Sequence, residues 1–262
     1  MIFVGIDAGI ENTKVVVMKD REVIGRTMVS TGGFDRLEQV QKAYDLALAT
    51  ARASKKDVKS VVSTGKGKFD ISFADARITE AIATAHAVRF LVPEATSFMS
   101  VGADETIAAT LGDTRLIQEY VINQKCSAGL GTFLTYLARR LEQKLEDIDA
   151  AESDAGRINE GCIVFSELDS LSLVNNGASP VSVMSSAIKA VAVRAANIMN
   201  DLTIPSNKFP VLIGGLTKSA AFVNALETAL GLKFHIPDNA EYAGAIGAVI
   251  SRGKVTIDAA KL

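Results

Sequence analysis

The stretch Ile2-Phe-Val-Gly-Ile-Asp-Ala-Gly-Ile-Glu-Asn-Thr-Lys-Val-Val-Val-Met18 decides the fold, because two apolar runs flank a short polar one. The apolar runs, Ile2–Ile6 and Lys14–Met18, are rich in β-branched residues and predict two strands. The residues between them are polar or glycine, as in a turn. The stretch therefore predicts a β-hairpin rather than a strand that leads into a helix.

The turn of this hairpin carries groups that suit a phosphate ligand. Exposed backbone N–H groups and the Thr13 hydroxyl can bind phosphate oxygens, and Asp7 can orient water around Mg²⁺, a cation that keeps several waters. The turn is not a Walker A loop, since Gly-x4-Gly-Lys-Ser/Thr does not occur. Taken alone, the same residues fit an ordinary solvated turn equally well.

After the hairpin, the predicted strands and helices complete one half of the protein, and a second half begins after Pro93. A third strand near Val23–Val29, a helix over 35–53 with apolar residues at helical spacing, and a strand over 58–62 give the order β-β-β-α-β. In the second half, helix is expected to dominate as far as residue 201. The strands expected before it are Ser97–Gly102, Thr106–Leu111 and Leu116–Ile122.

A second turn of similar character lies near the end of the sequence. Val211–Ile213 predicts a buried strand that leads through Gly214 and Gly215 to a helix over Ser219–Leu230. Paired glycines let the backbone approach a flat ring, and a helix start presents N–H groups, so a nucleoside could rest there. A plain strand-to-helix connection explains the segment equally well. The last predicted element is a small-residue helix over Tyr242–Ser251.

The composition is that of an ordinary globular protein. The chain has 262 residues, of which 48% are hydrophobic and 22% charged, and this excludes disordered, collagen-like and disulfide-framework proteins. Lys and Arg total 28 against 30 Asp and Glu, without a basic run, so no nucleic-acid partner is expected. No signal-like segment precedes Asp7, and no apolar run of about 18 residues follows it. We therefore expect a cytoplasmic protein without a membrane partner.

Two cysteines, Cys126 and Cys162, are too few for a disulfide framework, so their neighbours decide their role. Apolar spacing predicts a helix over 127–145 after Cys126, and a helix from near Ser166, with Glu167 in its first turn, after Cys162. One chain cannot supply the four thiolates of an iron–sulfur cluster, but a symmetric pair of chains can. The residues alone leave three interpretations open: buried structural cysteines, a bridging zinc site or a shared cluster.

Besides the two turns, the sequence contains several further segments that serve as motifs for comparison with known families: Ser63–Gly67, Phe73–Asp75, Ile78–Glu80, His86, Lys125–Gly129, Gly131, Phe133, Gly161–Phe165, Glu167 and Tyr242–Ala248. With the two turns, they make the sequence similar to the superfamily of acetate kinase, sugar kinases, heat-shock chaperone ATPases and actin, an α/β fold of the ribonuclease H-like class. More narrowly, the sequence resembles the ATPase family of the 2-hydroxyacyl-CoA dehydratase activators and the ATP-binding subunits of benzoyl-CoA reductase. The resemblance implies two lobes around a nucleotide cleft: residues 1–96 with about 241–262, and residues 97–240 with the cysteines.

The resemblance also implies cofactors, partners and site residues. It implies ATP with Mg²⁺, and one [4Fe–4S] cluster shared either by two identical subunits or with a paralogous ATPase subunit. Electrons would arrive from a ferredoxin or flavodoxin and, driven by ATP hydrolysis, reach an acyl-CoA dehydratase or reductase component. The implied residues are catalytic Asp7, Asp104 and Glu105; nucleotide-binding Gly9, Asn12, Thr13, Lys14, Gly102, Gly214, Gly215 and Lys218; and cluster-ligating Cys126 and Cys162.

One segment departs from the family pattern. Activators carry Asp-Ile-Gly-Gly-Gln-Asp at the second phosphate turn, where this sequence has Ser100-Val-Gly-Ala-Asp-Glu105. Ser100 replaces the leading aspartate, so Asp104 or Glu105 is expected to hold Mg²⁺ or the attacking water differently, and the motif does not assure the usual rate of hydrolysis. This departure keeps open a nucleotide-binding subunit without turnover, and the superfamily resemblance keeps open a second alternative, a small-molecule kinase.

Overall fold

The structure is a computed structural model that describes residues 1–32, 35–114, 116–123, 130–149, 151, 153–204 and 210–252. Its contacts divide the chain into two units. The first comprises Met1–Glu94 and the chain from Tyr242 onward, and the second comprises Ala95–Glu241. In chain order the strands and α-helices are β1 Ile2–Ala8, β2 Asn12–Lys19, β3 Glu22–Ser30, α1 Arg36–Thr50, β4 Val58–Thr64, β5 Ala76–Arg77, α2 Glu80–Leu91, β6 Ser97–Val101, β7 Thr106–Thr110, β8 Glu119–Ile122, α3 Gly131–Arg140, α4 Ile163–Asn175, α5 Pro180–Asn200, β9 Val211–Ile213, α6 Ala220–Leu230 and α7 Ala243–Ser251.

The described strands of the first unit form a sheet in the order β3-β2-β1-β4-β5. The predicted hairpin is confirmed: β1 and β2 are antiparallel, and Asp7 lies opposite Lys14. Strand β4 runs parallel to β1 and places Thr64 beside Asp7. One face of the sheet packs against α1 and the other against α7, which in turn packs against α2. A Cβ at Gly5 would lie 2.0 Å from the Ala245 carbonyl oxygen, so glycine allows α7 to lie this close to β1.

The second unit has a sheet in the order β8-β7-β6-β9 among its described residues. Strands β6 and β9 are parallel, and Ser100 lies beside Ile213. The core gathers around α5, which packs against α3, α4 and α6. The largest fully buried side chains of this unit are Phe98, Met99, Leu130, Leu134, Met184, Ile188, Met199 and Phe222.

Two features of the helices need comment. The helix predicted over 127–145 ends earlier, at Arg140, because Glu142 has a positive φ of 54° that a continuing helix does not allow. Of the described helices, Pro180–Asn200 is the one long and apolar enough to cross a bilayer. Most of its apolar stretch is buried inside the second unit, as expected of a core helix.

Candidate functional site

The polar end of the first hairpin lies at the carboxyl end of β1, next to the end of the parallel strand β4. The Asp7 Oδ2 atom is 3.6 Å from Lys14 Nζ, and only 16% of the Asp7 side chain and 13% of the Lys14 side chain are exposed. Because β1 and β4 are parallel, the loop that follows Thr64 reaches the same edge of the sheet. The structure thus brings together two of the predicted site residues, Asp7 and Lys14.

Burial raises the pKa of the Asp7 carboxyl above its ordinary value, since the ionised form loses hydration. Lys14 lowers this pKa, Glu80 raises it by charge repulsion, and Lys68 lowers it. Because the net direction is upward, the ionised carboxylate is less well stabilised here than in water. A cation, or water bound to a cation, would supply the missing stabilisation.

Two glycines frame the Asp7 carboxylate. A Cβ at Gly65, in the loop after β4, would lie 2.7 Å from Asp7 Oδ1, and a Cβ at Gly244, in the first turn of α7, would lie 2.7 Å from Oδ2. Gly65 also has a φ of 87°, in the left-handed region that favours glycine. The sequence marked both positions only as parts of longer motifs, and their contact with Asp7 became visible only in the folded unit.

A second ion pair lies behind the Gly65 loop. Lys68 Nζ donates to the Gly65 carbonyl oxygen at 3.2 Å and lies 3.3 Å from Glu80 Oε2. Glu80, the first residue of α2, is therefore paired rather than free on a helix surface. Lys68 was missed by the sequence analysis. Its one signal was its position directly after the glycine segment Ser63–Gly67.

The other predicted residues of the front turn hold the turn itself. Gly9 N donates to the Asn12 carbonyl oxygen at 3.2 Å and closes it. Thr13 is fully buried, and its hydroxyl lies 3.2 Å from that of Thr31, which donates to the Gly9 carbonyl oxygen. In this geometry Thr13 stabilises the turn from inside the unit. Ile10 and Asn12 are the exposed residues of this turn, and Glu11 is partly exposed.

In the second unit, the turn between β6 and β7 carries Gly102, Asp104 and Glu105. Gly102 N donates to the Glu105 carbonyl oxygen at 3.0 Å. The start of α3 packs on this turn, since Thr132 N donates to the Ala103 carbonyl oxygen at 2.9 Å. Asp104 and Glu105 are both partly exposed on a turn that the hairpin and a helix hold from two sides.

The glycine pair lies beside the end of β6, because β6 and β9 are parallel neighbours. Gly214 has a φ of 104°, and a Cβ there would lie 2.4 Å from the Val101 carbonyl oxygen, so only glycine fits. A Cβ at Gly215 would meet nothing within 4 Å, which leaves open space above this backbone. Lys218, at the end of the short 3₁₀ turn that follows, makes an exposed ion pair with Glu146 at 3.7 Å.

Cys162 is the N-cap residue of α4 and a free, partly exposed thiol. The Asn159 side chain accepts hydrogen bonds from Gly161 N at 2.9 Å and Cys162 N at 2.8 Å, and Ser166 N donates to the Cys162 carbonyl oxygen. Helix α4 begins at Ile163, with Cys162 as its N-cap residue, so the expected start near Ser166 was wrong and Glu167 lies in the second turn. Cys126 and its neighbours in 124–129 lie outside the described residues.

Helix α4 also carries an exposed apolar face that begins directly after Cys162. It starts with an adjacent pair and continues at intervals of three residues along one side of the helix, and its members are 39% to 60% exposed. Contiguous exposed apolar side chains of this kind often mark an interaction site. We call this surface the α4 face; it consists of Val164, Phe165, Leu168, Leu171 and Val174.

A model of the BadF/BadG/BcrA/BcrD ATPase family matches residues 4–251. The chain belongs to this ATPase family. The activator of lactoyl-CoA dehydratase from Anaerotignum propionicum is 32% identical to it over 254 residues, which cover 95% of this chain and 96% of that protein.

Two solved structures of similar proteins resemble this one along nearly the whole chain. Component A of (R)-2-hydroxyglutaryl-CoA dehydratase from Acidaminococcus fermentans has a TM-score of 0.83 at 25% identity, with 95% of this chain and 96% of that chain covered. The activator of 2-hydroxyisocaproyl-CoA dehydratase from Clostridium difficile, solved with bound ADPNP, has a TM-score of 0.86 at 24% identity, with 99% and 100% covered. The expected α/β fold class is thereby confirmed.

Asp7 and Cys162 are the described side chains that could hold the two groups implied by the resemblance, Mg²⁺ and an iron–sulfur cluster. Within the described ranges, no three His, Cys, Asp or Glu side chains gather into a metal site. A cation beside Asp7 would therefore take its other ligands from water and phosphate, which is the habit of Mg²⁺. Cys162 makes no capping hydrogen bond with its side chain, so its sulfur is available to an iron–sulfur cluster.

Proposed function

We propose that the chain is an electron-transfer ATPase, which uses Mg-ATP hydrolysis to pass a low-potential electron to an acyl-CoA dehydratase or reductase component. Membership of the ATPase family supports the nucleotide part, and the named activators at 25% and 32% identity support the acceptor. The observation that carries the electron-transfer part is Cys162, a free thiol at the N-cap of α4 beside the exposed α4 face.

For the nucleotide, we assign distinct roles to the two units. In the first, Asp7 orients water around Mg²⁺, Lys14 keeps that carboxylate in place, and backbone N–H groups of the turn between Gly9 and Asn12 bind phosphate. In the second, Gly102, Asp104 and Glu105 form the other phosphate turn, and the open side of Gly215 accepts the nucleoside. Lys218 also binds the nucleotide, and to do so it gives up its exposed ion pair with Glu146, which is weak.

For the cluster, we propose that Cys162 and Cys126 of two chains ligate one [4Fe–4S] group. A bound cluster would supply the one-electron carrier. Asn159 fixes the backbone at Gly161 and Cys162, and the positive end of the α4 dipole would favour an anionic group held by Cys162. The second chain is an identical copy or a paralogous ATPase subunit, the donor is a ferredoxin or flavodoxin, and a reducing cytoplasm suits such a site.

The proposal is tested by separating iron from nucleotide. After anaerobic purification we expect about four iron and four sulfide per two chains. Cys162→Ser should lose the iron and keep ATP binding, whereas Asp7→Asn should keep the iron and lose most ATP turnover. Ser170→Ala, a buried change on the same helix as the thiol, serves as the control that retains both. A colourless, iron-free wild-type protein after anaerobic reconstitution would overturn the electron-transfer role and leave a phosphotransfer or regulatory protein.

A further inference from the structure

Lys68 and Glu80 form an ion pair that is largely enclosed, with 11% and 24% of their side chains exposed. Moving two charges out of water costs more than their attraction returns unless further bonds compensate, so such a pair is a weak stabilising device. Glu80 uses only one oxygen here, because its Oε1 is buried and has no hydrogen-bond partner among the described residues. The role of this ion pair is therefore better explained by the other contacts of the Lys68 side chain than by stability.

Lys68 holds the loop that presses against Asp7. Its ammonium group donates to the Gly65 carbonyl oxygen, and its backbone N–H donates to the same oxygen at 3.2 Å. The loop is tied down further by Ser63 Oγ, which donates to the Lys68 carbonyl oxygen at 3.1 Å, and by Gly67 N, which donates to the Ala8 carbonyl oxygen at 2.9 Å. These bonds fix the left-handed turn at Gly65, whose backbone lies directly against Asp7 Oδ1.

We propose that Lys68 and Glu80 are positioning residues for Asp7: the ion pair fixes the Gly65 turn, and the turn fixes the orientation of the Asp7 carboxylate. The importance of that orientation for ATP hydrolysis rests on the proposed function. Neither residue needs to touch the nucleotide. Both charges also act directly on the pKa of the Asp7 carboxyl, but the positioning effect passes through the Gly65 carbonyl oxygen and the close contact between Gly65 and Asp7.

The test replaces both charges by apolar groups of similar size, in K68M/E80L. Because an enclosed ion pair often exchanges for apolar residues without loss of stability, the double variant should unfold at or above the wild-type temperature. Its Asp7 side chain should nevertheless move, seen as a shifted or broadened ¹³Cγ signal in aspartate-labelled protein, assigned by its absence in D7N. The kcat for ATP should fall about tenfold or more at a KM within about threefold, since misplacing a reacting group affects turnover more than binding. K68R, which keeps the cation, should retain most of the turnover.

The matched control is K55M/D45L, which removes an exposed ion pair of 2.8 Å in the same unit. It should leave both the Asp7 signal and kcat at wild-type values. A stable K68M/E80L protein with an unmoved Asp7 signal and wild-type kcat would overturn the proposal, as would an equal response in the control. If the wild-type chain hydrolyses no ATP, the proposed function fails, and the Asp7 signal still decides the positioning role. Should the double variant not fold, K68M alone must move the same signal or the proposal falls.

Discussion

Replacing Gly244 by alanine tests whether the Asp7 carboxylate is held between two glycines. The new Cβ would lie 2.7 Å from Asp7 Oδ2 and 3.0 Å from its Cγ, whereas ordinary van der Waals contact begins at 3.4 Å. The carboxylate must therefore retreat by about 0.7 Å, the difference between 3.4 and 2.7 Å. Such a movement disturbs a carboxylate that already pairs with Lys14 at 3.6 Å and lies against the Gly65 loop.

The free energies involved nearly cancel, and this makes the prediction specific. Alanine is favoured over glycine inside a helix by about 0.8–1.0 kcal/mol, while crowding a packed site costs about 1–3 kcal/mol. Gly244→Ala alone should therefore lower the free energy of unfolding by about 0–2 kcal/mol. In an Asp7→Ala background the crowded oxygen is gone, so the same change should raise stability by up to about 1 kcal/mol. The two substitutions should couple by about 1–3 kcal/mol.

Urea unfolding of the wild type, both single variants and the double variant measures this coupling, and ATP turnover is followed in parallel. We expect turnover in Gly244→Ala to fall about tenfold or more, because displacements of an ångström in a reacting group cost up to about a hundredfold. If the two stability changes add to within about 0.5 kcal/mol and turnover stays within twofold, Asp7 is not framed as described.

Three further predictions concern other parts of the site. Gly215→Ala places a methyl group in open space, so the unfolding temperature should not change. Calorimetry should nevertheless show several-fold weaker ATP binding, and an unchanged affinity would remove Gly215 from the site. Asp7→Asn should stabilise the protein at neutral pH. Because burial raises the pKa of Asp7 in the folded state, the contribution of this carboxyl to wild-type stability falls as pH rises above its unfolded value of 3.8, and the gain in the variant should vanish below that pH. An equal gain at pH 3 would contradict this origin. Leu168→Gln on the α4 face should shift sedimentation towards the single chain with little change in stability. Leu37→Gln on α1 is the control, because Leu37 is 59% exposed and Leu168 54%, and it should leave sedimentation unchanged. Identical sedimentation of the two variants would argue against an interface at the α4 face.

Local sequence patterns were sufficient for the hairpin and for the elements with strong periodicity. The alternation through β1 and β2 and the glycine pair after β9 are short-range signals, and the structure has both features where they were expected. The start of α4 was placed too late because the backbone that enters the helix is held by Asn159, three residues before Cys162, and no apolar period reveals such a contact. Helix α3 ended early for a similar reason, a single positive φ at Glu142.

The contacts around Asp7 were beyond local patterns for a different reason. Gly65 is far from Asp7 in the sequence and reaches it because β4 pairs in parallel with β1. Gly244 lies near the other end of the chain and reaches Asp7 because α7 packs on β1. Lys68 and Glu80 lie twelve positions apart on a loop and a helix. Such pairs are set by tertiary packing, so a sequence shows the residue types without showing that they touch.

The same geometry clarifies what the serine at position 100 changes. Ser100 lies in β6 beside Ile213, immediately before the strands lead into Gly102 on one side and Gly214 on the other. An aspartate there would add a third carboxylate to the edge that already carries Asp104 and Glu105. Under the proposed function, serine leaves this edge with less negative charge where a phosphate group would approach, so we expect it to favour binding of the nucleotide over activation of water. Under the proposed function, the carboxylate that is most firmly placed for Mg²⁺ is then Asp7, held by Lys14, two glycines and a clamped loop.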